Sequence, residues 1–147
     1  MKLSSVRLET KAIKTRYWEE STHRILEGKK TVGIVCASDT KTTRAQILAE
    51  FASSKQTINN LKKWSLPQQF TFMWIEIVKI EEPSRRRGYG TQIFDWMKET
   101  HRNTLIGLHP QEIAANYDIS LILNFYRKQG FRISRFEYEW YGFLYLK

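Results

Sequence analysis

The sequence predicts an α/β (α+β) fold, with one mixed, twisted sheet flanked by helices in a single domain covering residues 1–147. Strand-type and helix-type patterns alternate through the middle of the chain, and strand patterns dominate its C-terminal part. The length of 147 residues suits one domain. Neither an internal repeat nor a Pro-, Gly- or Ser-rich linker divides the chain.

The composition excludes several classes of protein. Hydrophobic residues make up 41% of the chain and aromatic residues 14%, which is too much apolar material for intrinsic disorder. The single cysteine, Cys36, excludes an intramolecular disulfide and a cysteine-based zinc cluster, and we expect no metal. No secretory signal and no membrane-spanning apolar run is present, so we expect a cytoplasmic protein without a membrane partner. The net charge of +9 will attract partners that carry phosphate or carboxylate groups.

In the first half of the chain, the spacing of apolar residues predicts strands and helices in turn. Residues 2–8 alternate between apolar and polar and predict a strand, whereas residues 10–27 carry apolar side chains at helical spacing and predict a helix. Gly28 is the expected end of that helix. Residues 31–37 predict a short strand, and residues 42–64 predict a helical insert of one or two helices.

The second half contains the clearest elements. Residues 70–80 are rich in β-branched and aromatic side chains and form the strongest predicted strand. An amphipathic helix is predicted at 91–101, a strand at 104–108, and a helix at 119–128 that Gly130 closes. Two further strands, expected to be antiparallel, are predicted at 131–136 and 141–146.

The most informative stretch is an arginine-rich turn between the strongest strand and the next helix. Three arginines are followed by Gly88 and Gly90, and a helix begins directly afterwards. Consecutive backbone N–H groups in such a turn, together with the positive end of the helix dipole, form a cradle for phosphate. The alternative is an ordinary surface turn with solvated arginines.

Two motifs in register make the sequence similar to the GCN5-related N-acetyltransferases, the GNAT superfamily. Residues 85–90, RRRGYG, match the superfamily's Q/R-x-x-G-x-G/A pyrophosphate signature, and residues 124–131, NFYRKQGF, resemble its FYxxxGF segment. The resemblance covers about residues 70–131. It implies a sheet of about six or seven strands. It also implies that the parallel strands near 70–80 and 104–109 diverge at their C-terminal ends to admit the pantetheine arm of acetyl-CoA.

The resemblance also implies which residues hold acetyl-CoA as co-substrate. The backbone of Val78, Lys79 and Ile80 would bind pantetheine, and the turn would bind the pyrophosphate through Arg85, Arg86, Arg87, Gly88, Tyr89, Gly90 and Thr91. Many relatives contact the cofactor arm through an Asn seven residues before the FY tyrosine. This chain has Ile119 there, with Ser120 or Asn116 as the substitute.

For catalysis, the resemblance implies a general acid and a general base. Tyr126 matches the tyrosine that protonates the departing thiolate; its alternative role is simple core packing. Glu76 is the expected base, because it is the only acidic residue of its strand and alternation places it on the face of Val78 and Ile80. The superfamily's commonest glutamate lies two residues earlier, at Trp74, so His109 is the alternative base.

Residues 44–64 support a second hypothesis, because helix, short turn and helix are compatible with a helix-turn-helix. Its polar face would comprise Lys55, Gln56, Asn59, Asn60, Lys62 and Lys63. The alternative is an amphipathic pair that covers the sheet. Two functions therefore stand: an acetyl-CoA-dependent N-acetyltransferase acting on a primary amine, or a nucleic-acid-binding module on the same scaffold. The acceptor amine (small-molecule, protein or nucleic-acid-linked) and homodimer formation are left open.

Overall fold

The protein contains one seven-stranded mixed sheet, seen in a computed structural model that describes residues 6–14, 19–27, 29–80, 89–110 and 119–147. The spatial order of the strands is β1-β2-β3-β4-β5-β7-β6. All neighbours are antiparallel except β4 and β5, which are parallel. The strands are β1 (Val6–Lys14), β2 (Glu19–Glu27), β3 (Lys30–Thr43), β4 (Gln69–Ile80), β5 (Thr104–Leu108), β6 (Arg132–Phe136) and β7 (Glu139–Leu146).

The helix predicted at residues 10–27 is wrong, because β1 and β2 form an antiparallel hairpin there. The cause is a register shift in the pairing of β2 with β3, which falls between Ile25 and Leu26. Both side chains are buried although they are consecutive. Two adjacent buried residues break the strand alternation and imitate helical spacing. Gly28, the expected helix end, lies outside the described residues.

The helical insert is confirmed and lies between β3 and β4. It consists of α1 (Arg44–Glu50) and α2 (Lys55–Lys63). Thr43 caps α1 in a reciprocal capping box with Gln46, and Ser54 caps α2 by accepting a hydrogen bond from the Thr57 amide. The strand expected at 31–37 is longer than predicted, since β3 continues through a Thr-rich stretch that pairs with β4 as far as Thr43.

The C-terminal half follows the sequence prediction closely. Strand β5 and helix α4 (Ile119–Lys128) have the predicted bounds. Helix α3 (Tyr89–Thr100) begins two residues before the predicted start. Gly130 ends α4 with a φ of +105°, a conformation that favours glycine. The expected antiparallel pairing of the last two strands is also confirmed.

Each face of the sheet carries its own hydrophobic core. The first core lies under α3 and α4 and includes Ile75, Phe94 and Leu108. The second core lies under α1 and α2 and includes Leu61 and Phe143. Because β4 and β5 contribute residues to both cores, their side chains are fixed from both sides.

Candidate active site

The site is built around the place where β4 and β5 stop pairing. The two strands pair in parallel from Thr71↔Thr104 to Ile75↔Leu108. Strand β4 then continues to Ile80 and pairs only with β3 on its other side. Among the described residues, the backbone groups on the β5 side of residues 76–80 have no strand partner. The expected parallel neighbours are confirmed, and the end of their pairing leaves an open backbone edge.

Glu76 lies at this point, on a different face from the one predicted. The β3–β4 register shifts so that Cys36 pairs with Ile77 while Ala37 pairs with Ile75, which makes Glu76 the extra residue of a β-bulge. Val78 packs against the first core. Glu76 is exposed on the opposite face, where its Oε1 accepts a hydrogen bond from Ser38 Oγ at 3.2 Å. The prediction that Glu76 shares the face of Val78 and Ile80 is therefore wrong, because the bulge resets the alternation.

Next to Glu76 lies a cluster of three rings, formed by Trp74, His109 and Tyr141. The imidazole centroid of His109 is 4.8 Å from Trp74 and 4.1 Å from Tyr141. Glu76 and His109 each directly follow the last β4–β5 pair, Ile75↔Leu108, on adjacent strands. The two candidate bases thus each lie one residue beyond the end of the β4–β5 pairing, a place that we call the mouth of the site.

Gly107 creates the space for this cluster. A Cβ added there would lie 3.0 Å from two ring atoms of Phe72 and 3.0 Å from Cε3 of Trp74. Such distances are closer than ordinary van der Waals contact. The absence of a side chain at Gly107 therefore leaves room for the ring of Trp74, which contacts His109.

The hydrogen bond of His109 determines its tautomer. Its Nδ1 lies 3.2 Å from the carbonyl oxygen of Trp140, which can only accept, so the proton is assigned to Nδ1. In the neutral ring Nε2 then carries the lone pair and can take a proton. The carboxylate of Glu139 lies 3.7 Å from Nδ1. His109 is thus oriented as a base, with its side chain 14% exposed.

Tyr126 lies on the other face of the sheet, in the first core. Its ring packs edge-on against Phe94 and Phe131, with centroid distances of 5.7 and 5.6 Å, and the residue is 3% exposed. Burial raises the pKa of Tyr126 well above its usual range, so the hydroxyl stays protonated at neutral pH. No described residue forms a hydrogen bond with that hydroxyl.

The predicted phosphate cradle lies largely outside the described residues. Arg85, Arg86, Arg87 and Gly88 fall there, as does Asn116. Of Lys79, Ile80 and Tyr89 the structure describes only the backbone, in β4 and at the start of α3. Thr91 and Ser120 are exposed in the first turns of α3 and α4.

Close packing against α4 requires a glycine at position 90, which the sequence did not indicate. A Cβ there would lie 3.0 Å from Cζ of Phe125, so the first turn of α3 rests directly on a ring of α4. This contact fixes the N-terminal end of α3 against α4. No acidic residue lies in the first turn of α3.

Gln92 is a further polar residue at this end of α3, and sequence reasoning missed it. It is 7% exposed, and neither its amide nitrogen nor its amide oxygen has a hydrogen-bond partner among the described residues. An unpaired buried amide is costly, which suits a group that a ligand completes. The only signal in the sequence was a polar residue within the apolar stripe of the helix.

The polar face of the helix-turn-helix segment is partly engaged within the protein. Gln56 Oε1 accepts a hydrogen bond from the amide of Arg135, and Asn60 Nδ2 donates to the carbonyl of Ile133. Two of the side chains expected to read bases therefore bind the backbone of β6. The segment covers the sheet, as the alternative interpretation proposed.

The described ranges contain neither a candidate metal site nor a candidate membrane span. No group of three or more His, Cys, Asp or Glu side chains there could hold a metal ion. No helix in the same part of the chain has both the length and the apolar character needed to cross a bilayer.

Comparison with known proteins found a similar fold among the solved structures. No protein-family model matches the sequence, and no curated protein matches it. The crystal structure of NAA60 from Arabidopsis thaliana in complex with acetyl-CoA matches with a TM-score of 0.53. The match covers 86% of this chain and 76% of that chain, at 15% sequence identity.

Proposed function

We propose that this chain, whose fold is that of the GCN5-related N-acetyltransferases, is an acetyl-CoA-dependent N-acetyltransferase that modifies a primary amine. The observation that carries the proposal is that β4 continues over residues 76–80 beyond its last pair with β5, so that the β5 side of this segment has no strand partner among the described residues. An extended amide-containing arm can pair with such an edge as an added strand would. The similar fold of NAA60 was solved with acetyl-CoA bound.

The residues around the open edge fit this co-substrate. The backbone of Val78, Lys79 and Ile80 would hold the pantetheine amides. The turn at 85–91, with its three arginines, would hold the pyrophosphate beside the N-terminal end of α3. The buried amide of Gln92 offers further donors and an acceptor at the same end, and Ser120 lies at the start of α4.

His109 is the base that the geometry favours. Bound acetyl-CoA supplies the acetyl group as a thioester, which only a neutral amine attacks. His109 Nε2 would take the proton from the acceptor ammonium while Nδ1 keeps its own proton on the Trp140 carbonyl. Glu76, exposed and bound to Ser38, is the alternative base at the same mouth.

Tyr126 is the proposed acid, acting as a hydrogen-bond donor to the leaving sulfur and not as a donor of a whole proton. Because burial raises the pKa of its phenol, the hydroxyl holds its proton firmly and acts best as a hydrogen-bond donor to the departing sulfur. Full proton transfer from so weak an acid would be uphill. The absence of a hydrogen-bond partner among the described residues leaves the hydroxyl available for this contact.

The first experiment tests the co-substrate. Gly88→Asp places a negative side chain in the turn and should weaken CoA binding at least about tenfold, or 1.4 kcal/mol, by calorimetry. Ser53→Asp, in the exposed turn between α1 and α2, adds the same charge elsewhere and should leave the affinity unchanged. Equal affinities for CoA in both variants would refute the proposed cradle.

The second experiment tests the base, using thiol release from acetyl-CoA with a panel of amines, peptides and aminoacylated nucleic acids. On the best acceptor, His109→Gln should lower kcat/KM by about 10² to 10⁴ and Glu76→Gln by less than about tenfold. The reverse order would assign the base to Glu76. An inert wild-type chain that binds CoA but releases no thiol with any amine would contradict the proposed enzyme activity.

A further inference from the structure

A polar cleft lies at the end of the sheet where β4 and β5 begin. It has a volume of about 440 Å³ and is lined by nine described residues, which belong to the end of β3, α1, the start of β4 and the turn between α3 and β5. This volume falls in the range of about 300–1,000 Å³ that small-molecule sites have. The polar cleft is separate from the mouth of the site, since Thr71, which lines it, and Glu76 are about 16 Å apart along β4.

The lining of the polar cleft carries positive charge and hydrogen-bond donors. Among its described residues Lys41 and Arg102 are basic, none is Asp or Glu, and Phe70 is the only apolar one. Neither Lys41 nor Arg102 forms an ion pair with a carboxylate in the described ranges. The hydroxyl of Thr71 likewise has no hydrogen-bond partner there. An anion in the cleft would therefore meet two positive charges that no carboxylate neutralises.

Gln46 adds a donor to the lining, because its amide oxygen is already occupied. Oε1 accepts hydrogen bonds from the hydroxyl of Thr42 at 3.1 Å and from the hydroxyl and backbone amide of Thr43 at 3.2 and 3.1 Å. This network assigns the oxygen to the side of the threonines and the nitrogen to the other side. Nε2 has no partner among the described residues, so its N–H groups remain available to a ligand.

Arg102 is held in place by the end of α3. Its Nη1 donates to the carbonyl oxygens of Lys98 and His101. A positive charge is favourable at this end of a helix, where the last carbonyl groups lack partners within the helix. The two bonds use only Nη1, so Nε and Nη2 keep N–H groups in the forked arrangement that suits phosphate oxygens.

The next residue, Asn103, fixes the turn between α3 and β5. It adopts a φ of +49° and is held by three hydrogen bonds. Its Nδ2 donates to the Gln69 carbonyl at 3.2 Å, its Oδ1 accepts from the Tyr145 hydroxyl at 2.8 Å, and its carbonyl accepts from the Thr71 amide at 3.0 Å. Because this wall of the cleft is fixed before a ligand arrives, binding requires little further ordering of the turn.

We propose that the polar cleft binds a phosphate group, either as inorganic phosphate or as the monoester of a small molecule. Such a group carries up to two negative charges at neutral pH and three strong acceptor oxygens. It can therefore pair with both Lys41 and Arg102 and also accept from Gln46 and Thr71. A carboxylate offers one charge and two oxygens, which would leave one of the two cations unpaired.

This phosphate site is distinct from the proposed pyrophosphate cradle. The cradle precedes α3 and Arg102 follows it, so the length of the helix, about 18 Å, separates them. Phosphate binding in the polar cleft uses none of the residues proposed to hold acetyl-CoA. It therefore does not depend on acetyltransferase activity.

The test measures the binding of glycerol phosphate to the full chain by calorimetry, with excess CoA present to occupy the cradle. The wild-type protein should bind with a Kd of about 1 mM or lower. The double variant Lys41→Gln, Arg102→Gln should weaken binding at least about tenfold, since it removes both charge-assisted contacts. Lys41→Gln alone removes a side chain that makes no hydrogen bond or ion pair with a described residue, so it should fold normally and still bind at least about threefold more weakly.

The matched control is Lys55→Gln, Lys63→Gln, which removes two positive charges from exposed positions of α2 outside the cleft. Its affinity should stay within about twofold of wild type, and thermal melts show that each variant folds. Tighter binding of glycerol phosphate than of inorganic phosphate would assign the site to a monoester, and equal binding would assign it to the free ion. Absence of binding to the wild-type protein, equal affinity for glycerate, equal losses in the two double variants, or displacement of the phosphate by added CoA would each overturn the proposal.

Discussion

Gly107→Ala adds a single methyl group beside Phe72 and Trp74. We expect this change to lower the stability of the sheet and to disturb the geometry of the site. In Gly107→Ala the new Cβ would lie 3.0 Å from Cε2 and Cζ of Phe72 and from Cε3 of Trp74. All three atoms belong to rigid rings packed on β4, so no small rotation of a flexible end relieves the contact. The rings must move, and His109 rests on one of them.

The magnitude follows from the cost of inserting a methyl group into a packed region, about 1–3 kcal/mol. For a chain of this length each kcal/mol lowers the melting temperature by about 2–4 °C. We therefore expect a melting temperature about 2 to 12 °C below wild type. Displacement of Trp74 should also lower kcat on an identified acceptor, while CoA affinity, set on other residues, should change little.

Gly142→Ala is the matched control, because it lies in the adjacent strand, two residues from Trp140, and opposes Leu108. Its Cβ would also meet two atoms closely, Cδ1 of Ile133 at 3.0 Å and Cδ1 of Leu108 at 3.2 Å, but both are the ends of flexible side chains, which can rotate away. We expect a loss below about 1 kcal/mol, partly offset by the lower entropy of the unfolded chain. A Gly107→Ala protein that melts and turns over like Gly142→Ala would refute the reasoning about the ring cluster.

Three further predictions concern single side chains. Thr57→Val leaves the buried Ser134 hydroxyl without its 2.7 Å partner and should lower the free energy of unfolding, measured in urea, by about 1–3 kcal/mol. Adding Ser134→Ala should restore part of this loss. If the effects of the two substitutions simply add, the two hydroxyls are not coupled. Tyr126→Phe should keep the melting temperature and CoA affinity while turnover falls about 10²-fold, and joint loss of stability and affinity would make it a packing residue. Burial, and to a smaller extent the charge of His101, lowers the pKa of His23 below the ordinary 6.5. The neutral His23 side chain therefore contributes to the stability of the fold above pH 6.5, and this contribution is lost as the pH falls through the lowered pKa. Thermal melts from pH 7.5 to 5 should decline more in wild type than in His23→Gln, and parallel curves would exclude this group.

Local signals explain why the C-terminal half was predicted well. The spacing of apolar residues and a glycine after the last turn predict helix α4, and Gly130 has the positive φ that is typical of a glycine at a helix end. Strand β5 is short, apolar and buried at every position. The local pattern places the ends of both elements, although β5 also pairs with β4 and β7.

The remaining features depend on long-range pairing. Nothing local in β4 shows that Glu76 is an extra residue, because the bulge exists only relative to β3. The contact between His109 and the Trp140 carbonyl joins residues far apart in the chain. The sequence therefore predicted His109 as a candidate base but could not predict the residues that orient it. The strand pair β1–β2 was mistaken for a helix for the same reason, since pairing overrides a local helical pattern.

The covering of β6 by α2 also limits how copies of this protein can assemble. Of the two outer strands, β6 has its backbone groups taken by Ser54, Gln56 and Asn60, while β1 has only β2 as a neighbour among the described residues. A fibre that grows by strand pairing needs two open edges on each copy, one for each neighbour. Within the described part of the chain this sheet offers one, at β1, so pairing through β1 would close on itself around a two-fold axis and stop at two copies.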